Sequence, residues 1–352
     1  MGILEIKRRL RELSETEIGR IIFLCQVIMA TFVGSRSLNT GTDTLVYATH
    51  FGLIEKCQCL TGSHELGFEW LTLIVSLTGF GATFYFIVIS LIIFMLVNRV
   101  ISQINRMDGH KYIWDGSTLR VLIIATFLVS PFFVSAHINA IRQGMAAFFV
   151  FYALLSILSK NWKSFIFTGL IAISIHSTSI MYLGLFPLLL LPFKALFFLV
   201  SSLSIVYAAS FSDDLLLRAS EVLGISLYES VVSYRNDVNY QSGVRYDFLI
   251  FSWVGIFFAL ACRRFFDKFE RVITLMSLIK VYLLLIIPFL LFGFANFSNR
   301  YAYTAWLFLS ILIAYSVNGM FFWKKRRVLF LSVIILIAPS IFLVMTFNGM
   351  AR

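Results

Sequence analysis

Runs of about 20 apolar residues recur along this chain, separated by short links that collect lysine and arginine, and a helix of that length crosses the hydrocarbon core of a bilayer. Of the 352 residues, 59% are hydrophobic and 13% charged, whereas a soluble domain carries about a quarter charged residues. Mean hydropathy is +0.89. So much apolar surface does not fit inside a water-soluble core of this size, which makes lipid the solvent for much of it. In lipid every backbone polar group needs an internal partner, and only helices and closed barrels provide that. The sequence lacks the alternating segments of about 10 residues that mark a barrel. The expected fold class is an all-α polytopic membrane protein, a single integral membrane domain over 1–352 without repeats or low-complexity segments.

Spans are expected near 18–34, 80–98, 119–134, 140–158, 195–211, 248–262, 272–293, 301–319 and 328–347. The stretch 164–193 is too long for one ordinary span and short for two, and charge decides between them. If it crosses once, RRFFDKFER at 263–271 and WKKRR at 323–327 fall outside, against the tendency of lysine and arginine to stay in the cytoplasm. If it turns at His176-Ser177-Thr178, both fall inside. Then 20 of the 29 lysines and arginines are cytoplasmic and 8 are outside, with Lys280 within a span. The expected topology is about 11 transmembrane helices with a cytoplasmic N-terminus. The two halves of the hairpin, 164–176 and 178–193, are short. Thirteen helical residues cover only about 20 Å, so the hairpin should pack inside the bundle or line a thinned or water-filled region.

Two long segments face the outer side, 35–79 and 212–246. The first should end in a short surface helix before the span from Gly81. The second has amphipathic helical spacing at Leu215, Leu216, Ala219, Val222 and Leu223. Residues 1–17 read as a mixed-charge cytoplasmic segment, without the small-residue site of a cleavable signal. The net charge of +11 follows topology, so no nucleic-acid partner is expected. Cys57 and Cys59 form the one close cysteine pair. A disulfide between them should be strained, and zinc would need ligands beyond His50 and His64, so no metal or other cofactor is expected.

On this topology the polar clusters all face outward. Arg142 begins a span beside His137 and Gln143, and a helix N-terminus with an arginine fork suits phosphate oxygens. The alternative is an arginine that snorkels to headgroups. Arg300 starts another span beside Asn299, Tyr301 and Tyr303. Arg235 and Arg245 flank a tyrosine-rich stretch that suits a sugar diphosphate, or else they pair with Asp237 and Asp247. His176, at the hairpin tip, and His137 suit a general base, because a free imidazole changes charge near neutral pH, although a lone histidine at a helix end is often structural. Asp43 and Tyr47 lie in the first outer segment, and Asp43 sits in a Gly/Thr-rich turn where the carboxylate can orient a hydroxyl, accept a proton or merely form the turn. No nucleotide-binding lysine loop or H-E-x-x-H motif is present. Charge within the spans is almost absent, which argues against an ion-coupled transporter.

The segments GTDTLVYATHF (41–51), ELGFEWLTLIVSL (65–77), AIRQGMAAFFVFYALL (140–155), SKNWKSF (159–165), AISIHSTSI (172–180) and NRYAY (299–303) follow one another in an order that resembles the EpsG-like branch of Wzy-type polysaccharide polymerases, which build O-antigen, capsule or exopolysaccharide. The resemblance runs from about residue 20 to 320, and the IRQG and IHSTS pair is its most specific part. It implies a GT-C-like glycosyltransferase in a bacterial inner membrane, with undecaprenyl-diphosphate-linked glycans as donor and acceptor and no nucleotide sugar. A chain-length regulator is an expected partner on the same ground. Within that chemistry Arg142 and Arg300 would stabilise the departing diphosphate, Arg235 and Arg245 would close over it, and His176, His137 or Asp43 would take the acceptor proton. Gln143, Tyr47 and Tyr301 would complete the substrate site. The alternatives are a glycan ligase or other membrane glycan transferase, and a lipid-linked glycan flippase or transporter.

Overall fold

The computed structural model describes residues 3–108, 113–224, 226–232, 243–266, 269–320 and 327–347, and these residues are helical apart from turns and connecting loops. In chain order the helices are α1 (Ile3–Gly34), α2 (Thr44–Cys57), α3 (Leu66–Ser76), α4 (Gly81–Met107), α5 (Ile113–Leu128), α6 (Pro131–Ile138), α7 (Ile141–Leu158), α8 (Trp162–Ile175), α9 (Ser179–Gly184), α10 (Phe193–Ala208), α11 (Ser212–Leu223), α12 (Leu227–Val232), α13 (Tyr246–Cys262), α14 (Phe269–Phe292), α15 (Ser298–Gly319) and α16 (Arg327–Phe347). A short 3-10 helix, Phe186–Leu190, follows α9.

Every expected span coincides with a helix or a helix pair, but the count of 11 is not established. Among the described residues five helices are long and apolar enough to cross a membrane, or seven if each of two bent pairs is one span. The first pair, Thr118–Leu128 with Pro131–Ile138, bends by 72°. Pro131 causes the bend, because it has no N–H to continue α5 and drives Ser130 into extended backbone (φ −90°, ψ 124°). The second pair, Phe193–Ala208 with Ser212–Val222, bends by 108°. There Ser210 takes a left-handed φ of 65°, and the Ser212 hydroxyl donates to the Leu290 carbonyl at 2.9 Å. The amphipathic segment expected in the second long loop is α11. Its Leu216 packs in a small cluster with Phe292 and Phe294.

Helices α7, α14 and α15 form the centre and are mostly buried, whereas α13 turns Ile250, Val254 and Phe257 outward. In a lipid solvent such a face needs no protein cover. The expected turn at His176-Ser177-Thr178 is present. The Ser179 hydroxyl donates to the Ala172 carbonyl (3.3 Å), and Phe186 comes back to Trp162 and Phe165, with ring centroids 5.8 and 5.0 Å apart. The chain therefore folds back on itself as an antiparallel helical hairpin. Its arms are shorter than an ordinary span.

One end of the bundle gathers links rich in basic residues. Gln103 of α4 donates to Ser159 past the end of α7 (2.9 Å). The Tyr315 hydroxyl near the end of α15 donates to Asp108, just after α4, and contacts the carbonyl of Arg271 in α14. The first residues of α7 and α15 lie at the opposite end, because each helix runs about 27–33 Å at 1.5 Å per residue.

Candidate functional site

The loop between α2 and α3 is folded by one buried carboxylate. Glu69, 1% exposed, accepts the Thr61 hydroxyl (2.8 Å), the Gly62 amide (2.9 Å) and the His64 amide (3.1 Å). His50 lies beside it at 3.5 Å, and the His50 and His64 rings sit 4.3 Å apart. Burial pushes the Glu69 carboxyl up, but these donors outweigh it and bring it down to about 2. Burial, aided by the charge on Arg142, lowers His64 to about 4. Cys57 and Cys59 are disulfide-bonded across Gln58, which takes a left-handed φ of 52°.

This loop delivers Glu65 to the N-cap of α3, where its side chain does not cap its own helix. The carboxylate reaches across to two other elements. One oxygen accepts from an Arg142 terminal nitrogen on α7 at 2.5 Å. The other accepts from His176 Nδ1 (3.0 Å), the Ser177 amide (3.0 Å) and the Ser177 hydroxyl (3.1 Å) at the hairpin tip. Burial raises the Glu65 carboxyl, but the hydrogen bonds from His176 and Ser177 and the Arg142 charge hold it well below the usual carboxylate range. Two close approaches set this register. A Cβ on Gly67 would meet Ser174 at the end of α8, and a Cβ on Gly144 would lie 2.5 Å from the Ala136 Cβ of α6. Small residues at such contacts let helix backbones approach closely.

Around Glu65 opens a cavity of about 320 Å³, lined also by Arg142, Gln143, His176, Arg300 and Tyr301. Gln143 donates to the Arg300 carbonyl at 2.7 Å and ties α7 to α15. The Arg300 guanidinium is exposed and lies 4.3 Å over the ring of Phe297, the residue that opens α15 with a left-handed φ of 59°. Among the described residues no carboxylate pairs with it. The starts of α3, α7 and α15 all border the cavity. The aligned peptide dipoles at these helix starts make it favourable to an anion.

Of the residues singled out in the sequence, Arg142, His176, Arg300, Gln143 and Tyr301 therefore meet in one cavity. Tyr47 is buried behind Arg142 and interacts with its guanidinium. Asp43 is half-buried at the N-cap of α2 without capping it, and lies outside the cavity lining. His137 is placed differently from the expectation of a base. It is 1% exposed, with Phe94, Phe133 and Phe342 rings 4.5–5.6 Å away and Nδ1 at 2.9 Å from the Phe133 carbonyl. No substrate hydroxyl reaches a ring packed this way. Arg245 makes two hydrogen bonds to Asp247 (2.9 and 2.6 Å), stacks on Phe248 at 3.9 Å, and does not line the cavity. Its charge is matched locally instead of being offered to a diphosphate. Arg235 lies outside the described residues.

The sequence reading passed over Glu65, although it opens one of the segments carrying the resemblance. The available signal was an acid at the start of an apolar helix on the same side as the arginines. Lys280, within α14, lies outside the cavity lining and donates to the Leu189 carbonyl at the end of the hairpin (2.5 Å). Neither the curated proteins nor the solved structures contain a match to this chain. The family model of the EpsG family matches residues 20–351, essentially the whole sequence. The chain thus belongs to the EpsG family, a Wzy-like polymerase-type family, and is a multi-pass membrane protein.

Proposed function

We propose that this protein is a polysaccharide polymerase, a GT-C-like membrane glycosyltransferase that transfers a growing glycan from undecaprenyl diphosphate onto a lipid-linked repeat unit. The reading places the cavity at the extracytoplasmic face of a bacterial inner membrane, with the N-terminus cytoplasmic. The observation that carries it is one cavity in which Arg300, with no carboxylate partner among the described residues, three helix N-termini and a histidine meet. The basic links gather at the other end of the bundle, as the proposed sidedness requires.

In the proposed step an acceptor hydroxyl attacks the anomeric carbon of the donor. The new C–O bond forms as the bond to the diphosphate oxygen breaks. His176 takes the hydroxyl proton, and undecaprenyl diphosphate leaves with the electron pair. Arg300 and the helix ends stabilise the charge that develops on the leaving group, which is where preorganised donors contribute most. A volume of about 320 Å³ suits sugars and a diphosphate, with the lipid tails remaining in the bilayer.

The test is polymerisation of purified lipid-linked repeats by the protein in vesicles. Wild type should yield a ladder of chain lengths, and Arg300→Ala and His176→Ala should each slow elongation by roughly 10²-fold or more. If wild type leaves single repeats unjoined but moves them across the vesicle membrane or attaches finished polymer, the polymerase reading is wrong.

A further inference from the structure

The cavity contains two arginines and one histidine in named roles, yet the residue that touches most of them is Glu65. A carboxylate held ionised can only accept, so the nitrogen facing it must carry a proton. His176 Nδ1, 3.0 Å from Glu65, is therefore the donor. In the neutral ring the other nitrogen, Nε2, is then the proton acceptor, and His176 lines the cavity. The second Glu65 oxygen takes Arg142, so the Arg142 charge is already matched. That leaves Arg300, stacked on Phe297, as the cation offered to an incoming anion. Among the described residues no other carboxylate reaches His176 or Arg142, and Asp43 is not in the cavity lining.

We propose that Glu65 is the positioning residue of this site: it fixes the His176 tautomer that accepts the hydroxyl proton, and it neutralises Arg142 so that the diphosphate is received by Arg300. This inference rests on the polymerase reading. It reassigns Arg142 from leaving-group stabiliser to partner of Glu65, and it ties α3, α7 and the hairpin tip into one unit.

Loss of the Glu65 charge has a consequence that loss of packing alone would not produce. Removing the carboxylate leaves the cavity one unit more positive, so inorganic pyrophosphate should bind more tightly while turnover falls. Glu65→Gln and Glu65→Ala should each lower kcat by roughly 10²–10³-fold, with KM for the acceptor changed by less than about 3-fold. Pyrophosphate affinity, measured on the full-length protein in detergent, should rise by about 3- to 10-fold. In a His176→Ala background, Glu65→Ala should cost less than about 3-fold more, because the group it positions is gone. In an Arg300→Ala background the two losses should multiply. If Glu65→Gln weakens pyrophosphate binding, or if its full cost persists without His176, the assignment is overturned. If His176→Ala and Arg300→Ala lose elongation while Glu65→Ala keeps it, only this inference fails. If all three elongate like wild type, the polymerase site itself is misplaced.

Discussion

Gly67→Ala perturbs the site without touching any group that meets substrate. An added Cβ would lie 2.8 Å from the Ser174 carbonyl oxygen, 2.9 Å from the Ser174 Cβ and 2.3 Å from its hydroxyl. The hydroxyl can rotate away, but the carbonyl and Cβ belong to α8 and must recede by about 0.6–1 Å to reach ordinary van der Waals separation. Glu65 is two residues before Gly67, and His176 and Ser177 are two and three residues after Ser174. Parting α3 from α8 therefore stretches the contacts to His176 Nδ1 and the Ser177 amide, both at 3.0 Å, to about 3.6–4 Å, beyond hydrogen-bond range. A misplacement of about 1 Å costs on the order of 10²-fold in rate, and crowding of this kind costs about 1–3 kcal/mol of stability. The assay is the initial rate of elongation on lipid-linked repeats, read beside the thermal midpoint in detergent. Gly52→Ala is the control, since a Cβ there meets nothing within 4 Å; it should leave the rate unchanged and not lower the midpoint, because alanine favours the helix over glycine by up to about 1 kcal/mol. A Gly67→Ala protein that elongates within about 3-fold of wild type would refute the claim that this contact sets the Glu65–His176 geometry.

Three further outcomes follow from the geometry. Arg245→Ala should change elongation by less than about 3-fold and stability by at most about 1 kcal/mol, because its partner Asp247 is largely exposed and such pairs contribute little; a ladder truncated to single repeats would contradict this. His137→Phe should retain the ladder, since the ring packs among phenylalanines outside the cavity; loss of elongation with an unchanged thermal midpoint would restore His137 to the reaction. Glu69→Gln should cost about 1–3 kcal/mol at pH 7 and flatten the acid dependence of stability. The folded Glu69 carboxyl is at about 2 against an ordinary 4.5, so its contribution is complete above pH 4.5 and is lost as pH falls toward 2. Equal acid dependence in wild type and variant would contradict that account.

Particular residues show how far the sequence could be read. The reversal at His176 was legible because lysines flank the apolar stretch on both sides, and parity of basic links admits few foldings. The meeting of Arg142, His176 and Arg300 was legible for a related reason: cations set apart from the basic links need a purpose. Glu65 was not, because its partners are 77 and 111 residues away in sequence and no local pattern reports them. His137 and Arg245 misled in opposite ways. The Phe94 and Phe342 rings that enclose His137 come from distant helices, whereas the acid that occupies Arg245 is only two residues away and was weighed as the alternative. Length and composition leave the number of crossings among the described residues at five, or seven if each bent pair is one span, because hydropathy does not show whether the helices turned aside at Pro131 and the left-handed Ser210 continue across.

The shortness of the hairpin has its own consequence. Fourteen residues in α8 give about 21 Å of helix, against a hydrocarbon thickness of about 30 Å. With Lys160, Lys163 and Lys194 held at the cytoplasmic boundary, as the proposed topology requires, the tip stops roughly 10 Å beneath the far boundary. Bond-making would then happen in a dimple below the headgroups, which a polyprenyl chain can fill from the side and a free sugar in water has no anchor to enter. Depth itself would act as the filter that separates a tethered glycan from its soluble counterpart.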